Sequence, residues 1–235
     1  KEVFARALHE RSRRAREPFV ALNCSALPGE LIESELFGHV RGAFTGADRD
    51  RDGVFAAAGG GTLFLDEVGE LAAPAQAKLL RALEERTVTP VGSTTPLRVD
   101  VRVIAATNRP LDALARTGAF RDDLLYRLSV VQLHLPPLRE RREDIPLLAA
   151  HFIAHFAERH GRTALPLAET ARRALLTWEW PGNVRELRNA IERAIVMAEG
   201  DAIEVHDLPP AILGSSVPLR PADAALAELP FVDAR

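Results

Sequence analysis

The run Gly59-Gly60-Gly61-Thr62-Leu63-Phe64-Leu65-Asp66-Glu67 decides how the rest of the chain is read. Thr62 to Leu65 form a short continuous apolar run, which suits a strand covered on both faces of a parallel α/β sheet. It ends on two adjacent carboxylates, and in open α/β sheets the carboxyl margin is where ligands bind. An aspartate there can hold Mg²⁺ directly or through water. A neighbouring glutamate can orient or deprotonate the water that attacks a γ-phosphate. An acidic turn closing a strand fits the same letters, so the run alone leaves both readings open.

Outward from this run the same pattern recurs at Phe19 to Leu22, Val101 to Ala106 and Ser129 to Leu133, giving four expected strands. Between them Pro28 to Leu36 and Pro74 to Glu85 read as helices opened by a proline, acceptable where the N–H lacks an intrahelical partner. The strand-helix rhythm runs to about Leu135. After Pro136-Pro137 only helical patterns follow: one capped by Asp144, beginning near Pro146 and ending at Gly161, and one from about Leu167 to Trp178. A third follows Trp180-Pro181-Gly182, where Asn183 and Glu186 have capping-box spacing. Val184, Leu187, Ile191, Ala194, Ile195 and Ala198 form its apolar stripe. The expected organisation is an α/β unit over 1–136, a small helical subdomain over 137–213 and a Ser/Pro/Ala-rich linker over 214–235.

With 47% apolar and 27% charged residues among 235, the composition is that of a globular protein rather than a disordered one. A formal charge of -3 lacks the positive excess that drives non-specific DNA binding. The single cysteine, Cys24, excludes an internal disulfide and suits a reducing cytoplasm. No apolar run approaches the roughly 20 residues of a membrane helix, so a cytoplasmic protein without membrane contact is expected. His151 and His155 lie one turn apart, a spacing open to zinc, but no cysteine or glutamate motif accompanies them and a partly exposed helix face fits as well. Arg11, Arg13, Arg14 and Arg16 read as the solvated end of the first helix or as a nucleic-acid contact.

Glu35-Leu36-Phe37-Gly38-His39, followed two residues later by Gly42-Ala43-Phe44-Thr45-Gly46-Ala47, is the most specific passage. Physically it is a glycine-flanked turn carrying one bulky apolar side chain, Phe44, on a tip that would ordinarily be polar. Phe44 either forms a contact surface that can be presented and withdrawn or folds back onto its own domain. The hexapeptide stands letter for letter as the signature loop of bacterial enhancer-binding proteins. Over residues 1 to 213 the chain resembles their AAA+ ATPase domain, the activator of sigma-54 RNA polymerase. Val40-Arg41 stand where that family often has Glu-Ala.

The resemblance implies an AAA+ P-loop NTPase core with a parallel sheet, followed by a helical lid. Lys1 resembles the phosphate-binding lysine, with Glu2 completing the family's Gly-Lys-Glu variant, and Asp66 and Glu67 the Walker B pair, Asp66 holding Mg²⁺. Asn23 resembles the residue that restrains the catalytic glutamate, although a turn-forming asparagine fits the same place. Thr107-Asn108 resembles the sensor I element. Arg121 and Arg127 match arginine fingers that a neighbouring subunit inserts; Asp123 and Arg127 are also spaced to form a simple helix pair. Arg185 in Trp180-Pro181-Gly182-Asn183-Val184-Arg185 matches sensor II, reaching nucleotide phosphate beside the lid. Phe44 and Thr45, within Gly42 to Ala47, would touch the sigma factor.

On this resemblance the first strand and most of the phosphate loop would precede Lys1, and a helix-turn-helix DNA-binding domain would follow Arg235. The polypeptide by itself is then expected to bind ATP poorly and to fold marginally. The expected function of the intact parent is ATP-driven activation of transcription. A ring, a hexamer by family resemblance, would remodel the closed complex of the sigma-54 polymerase holoenzyme, with DNA held by another domain. A non-catalytic module that binds the sigma factor or self-associates is the alternative; another AAA+ machine would lack the Gly42 to Ala47 loop.

Overall fold

Residues 1–213 are described by the computed structural model and belong to two units, Lys1–Leu133 and the residues from His134 onward. In the first, α1 (Glu2–Glu10), β1 (Phe19–Asn23), α2 (Gly29–Phe37), α3 (Val54–Ala57), β2 (Thr62–Asp66) and α4 (Ala73–Glu85) follow in order. Then come β3 (Thr87–Val88), β4 (Leu97–Arg98), β5 (Arg102–Ala105), α5 (Leu111–Arg116) and α6 (Asp122–Leu128). β1, β2 and β5 form a parallel sheet with β2 in the middle, Asn23 standing opposite Asp66. β3 and β4 make a separate antiparallel pair.

β2 meets the expectation of a strand covered on both faces: Leu63, Phe64 and Leu65 are all buried. Leu63 and Leu65 pack with Leu36, Phe55, Leu79 and Leu124 from four helices. Each such side chain contributes roughly 1.5–3 kcal/mol of burial. β1 and β5 depart from it, with exposed positions in each, because each has a described strand on one side only. The strand expected over Ser129 to Leu133 is not formed. Val130 and Val131 are 78% and 76% exposed, and no described strand lies beside them to receive their backbone hydrogen bonds.

Other sequence expectations shift by a residue or a face. Pro28 occupies the N-cap position of α2 rather than its first turn, and its carbonyl accepts the Ile32 N–H. In α1 the buried positions are Ala5 and His9, and Val3 is exposed. Arg14 is not a solvated residue of the arginine cluster. Its Nη1 donates to the carbonyls of Gly60 (2.8 Å), Gly61 (3.1 Å) and Asp100 (3.2 Å), while Nη2 reaches Asp100 Oδ1 at 2.8 Å. Those carbonyls lie just before β2 and β5, so one guanidinium ties their amino ends together. Arg11, Arg13 and Arg16 are exposed.

The second unit holds α7 (Asp144–Arg159), α8 (Glu169–Thr177), α9 (Asn183–Met197) and α10 (Pro210–Leu213), around Trp180, Phe156, Leu175, Leu187 and Ile191. α7 begins earlier than expected: Asp144 is its first residue, where a carboxylate favours the helix dipole, and the helix stops at Arg159. The Asn183–Glu186 box is displaced by one residue. Gly182 takes the N-cap, its N–H donating to Glu186 Oε2 at 2.7 Å. Asn183, at φ 53°, instead accepts the Leu138 N–H at 2.8 Å. The stripe of α9 is buried from Leu187 to Ala198, with Val184 half-buried. No described helix is long and apolar enough to cross a membrane. The expected linker over 214–235 lies outside the described residues.

Candidate functional site

The parallel register brings the ends of three strands to one margin of the first unit. β1 ends at Asn23, β2 at Asp66, and β5 at Ala105, two residues before Thr107. The Cys24 N–H donates to the Asp66 carbonyl (2.9 Å) and the Val68 N–H to the Ala106 carbonyl (3.0 Å), so the three segments stay bonded beyond the strands.

Glu67 leaves β2 in the left-handed region at φ 54°, a conformation uncommon for a non-glycine residue. Its Oε1 accepts from Lys1 Nζ at 2.7 Å and its Oε2 from the Asn108 N–H at 3.1 Å. Lys1 Nζ also lies 3.8 Å from Asp66 Oδ1, and that oxygen accepts the Glu67 N–H at 3.1 Å. Two carboxylates, one ammonium and one backbone donor from the segment after β5 are thus gathered in one place. Glu2, the residue next to Lys1, is exposed and pairs with Arg6 one turn along α1 at 3.1 Å.

Asn23 accepts the Ser25 N–H at 2.9 Å and the Ser25 hydroxyl at 2.8 Å through its side-chain oxygen. The turn-forming reading therefore accounts for that oxygen. Thr107 Oγ1 caps its own turn, accepting the Arg109 N–H at 3.0 Å. Arg109 continues back across the margin, Nη1 donating to Glu70 Oε2 at 3.2 Å and to the Gly69 carbonyl at 3.4 Å.

Cys24 is buried beside this cluster. Burial, followed by the charges of Asp66 and Glu67, pushes its thiol up to about 12 from an ordinary 9.0. The thiolate is therefore scarcely populated at pH 8, and a disulfide reagent is expected to label Cys24 only as fast as the chain opens. Labelling of folded protein at the rate of a free cysteine would contradict this. Between about pH 9 and 12 the unfolded chain loses a proton that the native one keeps, so stability should fall with rising pH across that window.

Arg121 and Arg127 lie at the start and near the end of α6, both exposed. The helix pair expected between Asp123 and Arg127 is not formed. Asp123 instead takes Arg121 in a fork, Nε to Oδ1 at 3.0 Å and Nη2 to Oδ2 at 2.6 Å, and Arg127 donates to the Leu83 carbonyl at 2.9 Å. The fork holds the Asp123 carboxyl below its usual range and raises Arg121. Sequence reading passed over Gln76, a buried amide on the apolar face of α4. It donates to the carbonyls of Leu71 (2.7 Å) and Ala119 (3.0 Å) and accepts the Arg121 N–H at 2.9 Å. It fixes where α6 starts, and an amide among Ala75, Leu79 and Leu80 was the available signal.

The loop Gly42 to Ala47 is a compact turn on the same unit. Gly42 N–H donates to the Ala47 carbonyl at 2.8 Å and Ala47 N–H to the Phe44 carbonyl at 3.0 Å. Gly42 and Gly46 adopt φ values of 79° and 98° that side-chain-bearing residues rarely adopt, with open space around both. Thr45 is exposed, but Phe44 is half-buried and set edge-on to His39, with ring centroids 5.0 Å apart. In this arrangement the Phe44 ring rests on its own unit. Arg185 lies in the first turn of α9, exposed, in the second unit. His151 and His155 stack at 6.4 Å on α7, and no group of three or more potential metal-ligating side chains occurs among the described residues.

Residues 1–134 match the sigma-54 interaction domain, and residues 139–224 match the AAA+ ATPase lid domain. Regulatory protein AtoC of Escherichia coli (strain K12) is 54% identical over 212 residues, covering 90% of this chain and 46% of AtoC. Transcriptional regulatory protein ZraR of the same strain is 53% identical over 219 residues, 93% of this chain and 50% of ZraR. Among solved structures, NtrX from Brucella abortus in complex with ATP superposes with TM-score 0.84 at 38% identity, covering 94% of this chain and 48% of that one. NtrX in complex with ADP gives TM-score 0.84 at 36% identity, covering 97% of this chain and 51% of that one. The chain spans about half the length of the curated relatives it matches. An α/β unit with a parallel sheet and the signature loop, followed by a helical lid, therefore belongs to the sigma-54 interaction family of AAA+ domains found in sigma-54-dependent transcriptional regulators.

Proposed function

We propose that the parent protein is an ATP-hydrolysing activator that remodels the closed complex of sigma-54 RNA polymerase through the Gly42 to Ala47 loop. The observation that carries this reading is the convergence of Lys1, Asp66, Glu67 and the Asn108 N–H on one sheet margin, 2.7 to 3.8 Å apart. Lys1 Nζ supplies a cation for nucleotide phosphate, and its present partners are the carboxylates that a phosphate would replace. Glu67 is assigned as the base that orients or deprotonates the attacking water, Asn23 as its restraint, and Thr107 with Asn108 as the groups facing the γ-phosphate.

The donor set suits Mg²⁺. A hard cation held by one carboxylate, Asp66, would draw its remaining ligands from water and phosphate, as Mg²⁺ commonly does. When bound, it would neutralise charge on the phosphates. Glu2 is placed beside Lys1 at the nucleotide edge, and Arg185 is assigned a phosphate contact. Arg121 and Arg127 are assigned to the neighbouring subunit's nucleotide in a ring, a hexamer by family. Arg121 would then exchange Asp123 for phosphate. NtrX, a relative of the same architecture, has been captured with ATP and with ADP, which supports nucleotide as the ligand class. DNA contact would come through a further domain of the parent, in the cytoplasm.

Thr45 separates hydrolysis from its use. In the full-length parent, Thr45→Ala is expected to leave ATP turnover within about twofold while transcription from a sigma-54-dependent promoter falls by tenfold or more, the equivalent of roughly 1.4 kcal/mol of lost partner contact. Activation at the unsubstituted level would remove the loop from the mechanism.

A further inference from the structure

The proposed contact loop rests with its one large apolar side chain engaged, and the residue that engages it is itself fixed from three directions. His39 is 8% exposed. On one side its N–H and carbonyl exchange hydrogen bonds with Arg51, both at 2.9 Å. On the other, the flanking residues bond to the segment after β3, Val40 N–H to the Val91 carbonyl at 3.0 Å and Val91 N–H to the Gly38 carbonyl at 2.8 Å. From below, Ser34 Oγ on α2 holds the ring at Nδ1, 2.7 Å away. An imidazole so constrained presents a fixed surface, and the Phe44 ring meets it edge-on at 5.0 Å and 66°.

We propose that His39 is a positioning residue that seats Phe44 against the first unit until partner binding draws it out. This rests on the reading of residues 42–47 as the partner-contact loop. A tilted aromatic pair biases such an equilibrium by roughly 2- to 12-fold, enough to set a resting state and little enough for a partner to reverse. Gly42 and Gly46, on either side of Phe44 and Thr45, offer the change two hinges, both at positive φ with open space where a Cβ would lie; it would break loop bonds such as that from the Gly42 N–H to the Ala47 carbonyl. Ser34 serves the seat indirectly by holding the imidazole plane.

The test uses the full-length parent carrying 4-fluorophenylalanine at position 44, with the fluorine resonance recorded without nucleotide. His39→Gln keeps a polar group for Ser34 and removes the ring. The resonance is expected to move toward that of the free amino acid, and affinity for the sigma factor without nucleotide to rise by roughly 2- to 12-fold. Ser34→Ala is expected to act in the same direction to a smaller extent, and it carries the test if thermal unfolding shows that His39→Gln does not fold. A resonance unmoved in the folded variants overturns the seat, as does a moved resonance with weakened sigma-factor binding. A moved resonance with no sigma-factor binding by any form, in any nucleotide state, leaves the seat standing and overturns the contact-loop reading.

Discussion

Glu67→Ala in the full-length parent is expected to lower ATP turnover by 10² to 10⁴-fold, the range typical of losing a positioned general base, while nucleotide still binds. Binding should persist because the substitution leaves Lys1 and Asp66 in place and removes a carboxylate that competes with phosphate for Lys1 Nζ, now 2.7 Å from it. Nucleotide titration by calorimetry beside steady-state phosphate release reads both quantities. Glu67→Gln refines the result: the amide oxygen can still accept the Asn108 N–H, so a similar loss of turnover would trace the effect to charge rather than to the left-handed backbone at φ 54°. Turnover within a few fold of the unsubstituted protein would instead favour a module that binds the sigma factor or self-associates without hydrolysis.

Trp180→Ala should destabilise the second unit by about 3–5 kcal/mol, the usual cost of emptying a large aromatic site in a core. Trp180 is fully buried, donates Nε1–H to the Leu175 carbonyl at 2.8 Å and sits at φ 50°. The substitution therefore leaves both a cavity and a carbonyl without its donor. Against a typical domain stability of roughly 5–15 kcal/mol, much of the margin would be lost. Trp180→Phe, which keeps most of the volume but not the donor, should cost distinctly less. Denaturant unfolding followed by far-ultraviolet circular dichroism measures both; equal, small effects would show that Trp180 does not organise this core.

The sequence was most informative where one residue type had one physical use. The apolar run ending in Asp66-Glu67 identified a strand covered on both faces, and the glycine-flanked Phe44 identified the tight turn. It was least informative where an outcome depended on neighbours distant in sequence. Val130 and Val131 have strand-like letters, yet a strand exists only where a partner accepts its hydrogen bonds. Asp123 had two arginines within reach, and spacing favoured Arg127, whereas the fork geometry of Arg121 prevailed. Asn183 looked like a cap but serves Leu138, 45 positions away in sequence. The assignment of Lys1, unremarkable as a lone cation, came from family likeness; its nearness to Glu67 became visible only when the chain folded.

Side chains of a strand alternate sides, so an alignment error of one step along β2 would turn Asp66 to the wrong side and move Glu67 off the rim. By grasping the peptide oxygens of Gly60, Gly61 and Asp100, Arg14 pegs two ribbons at their starting points. The far ends, about 13 Å away over four residue steps, inherit that alignment. The accuracy of the acidic rim is thus set partly at the opposite end of the sheet, by a cation that never approaches it.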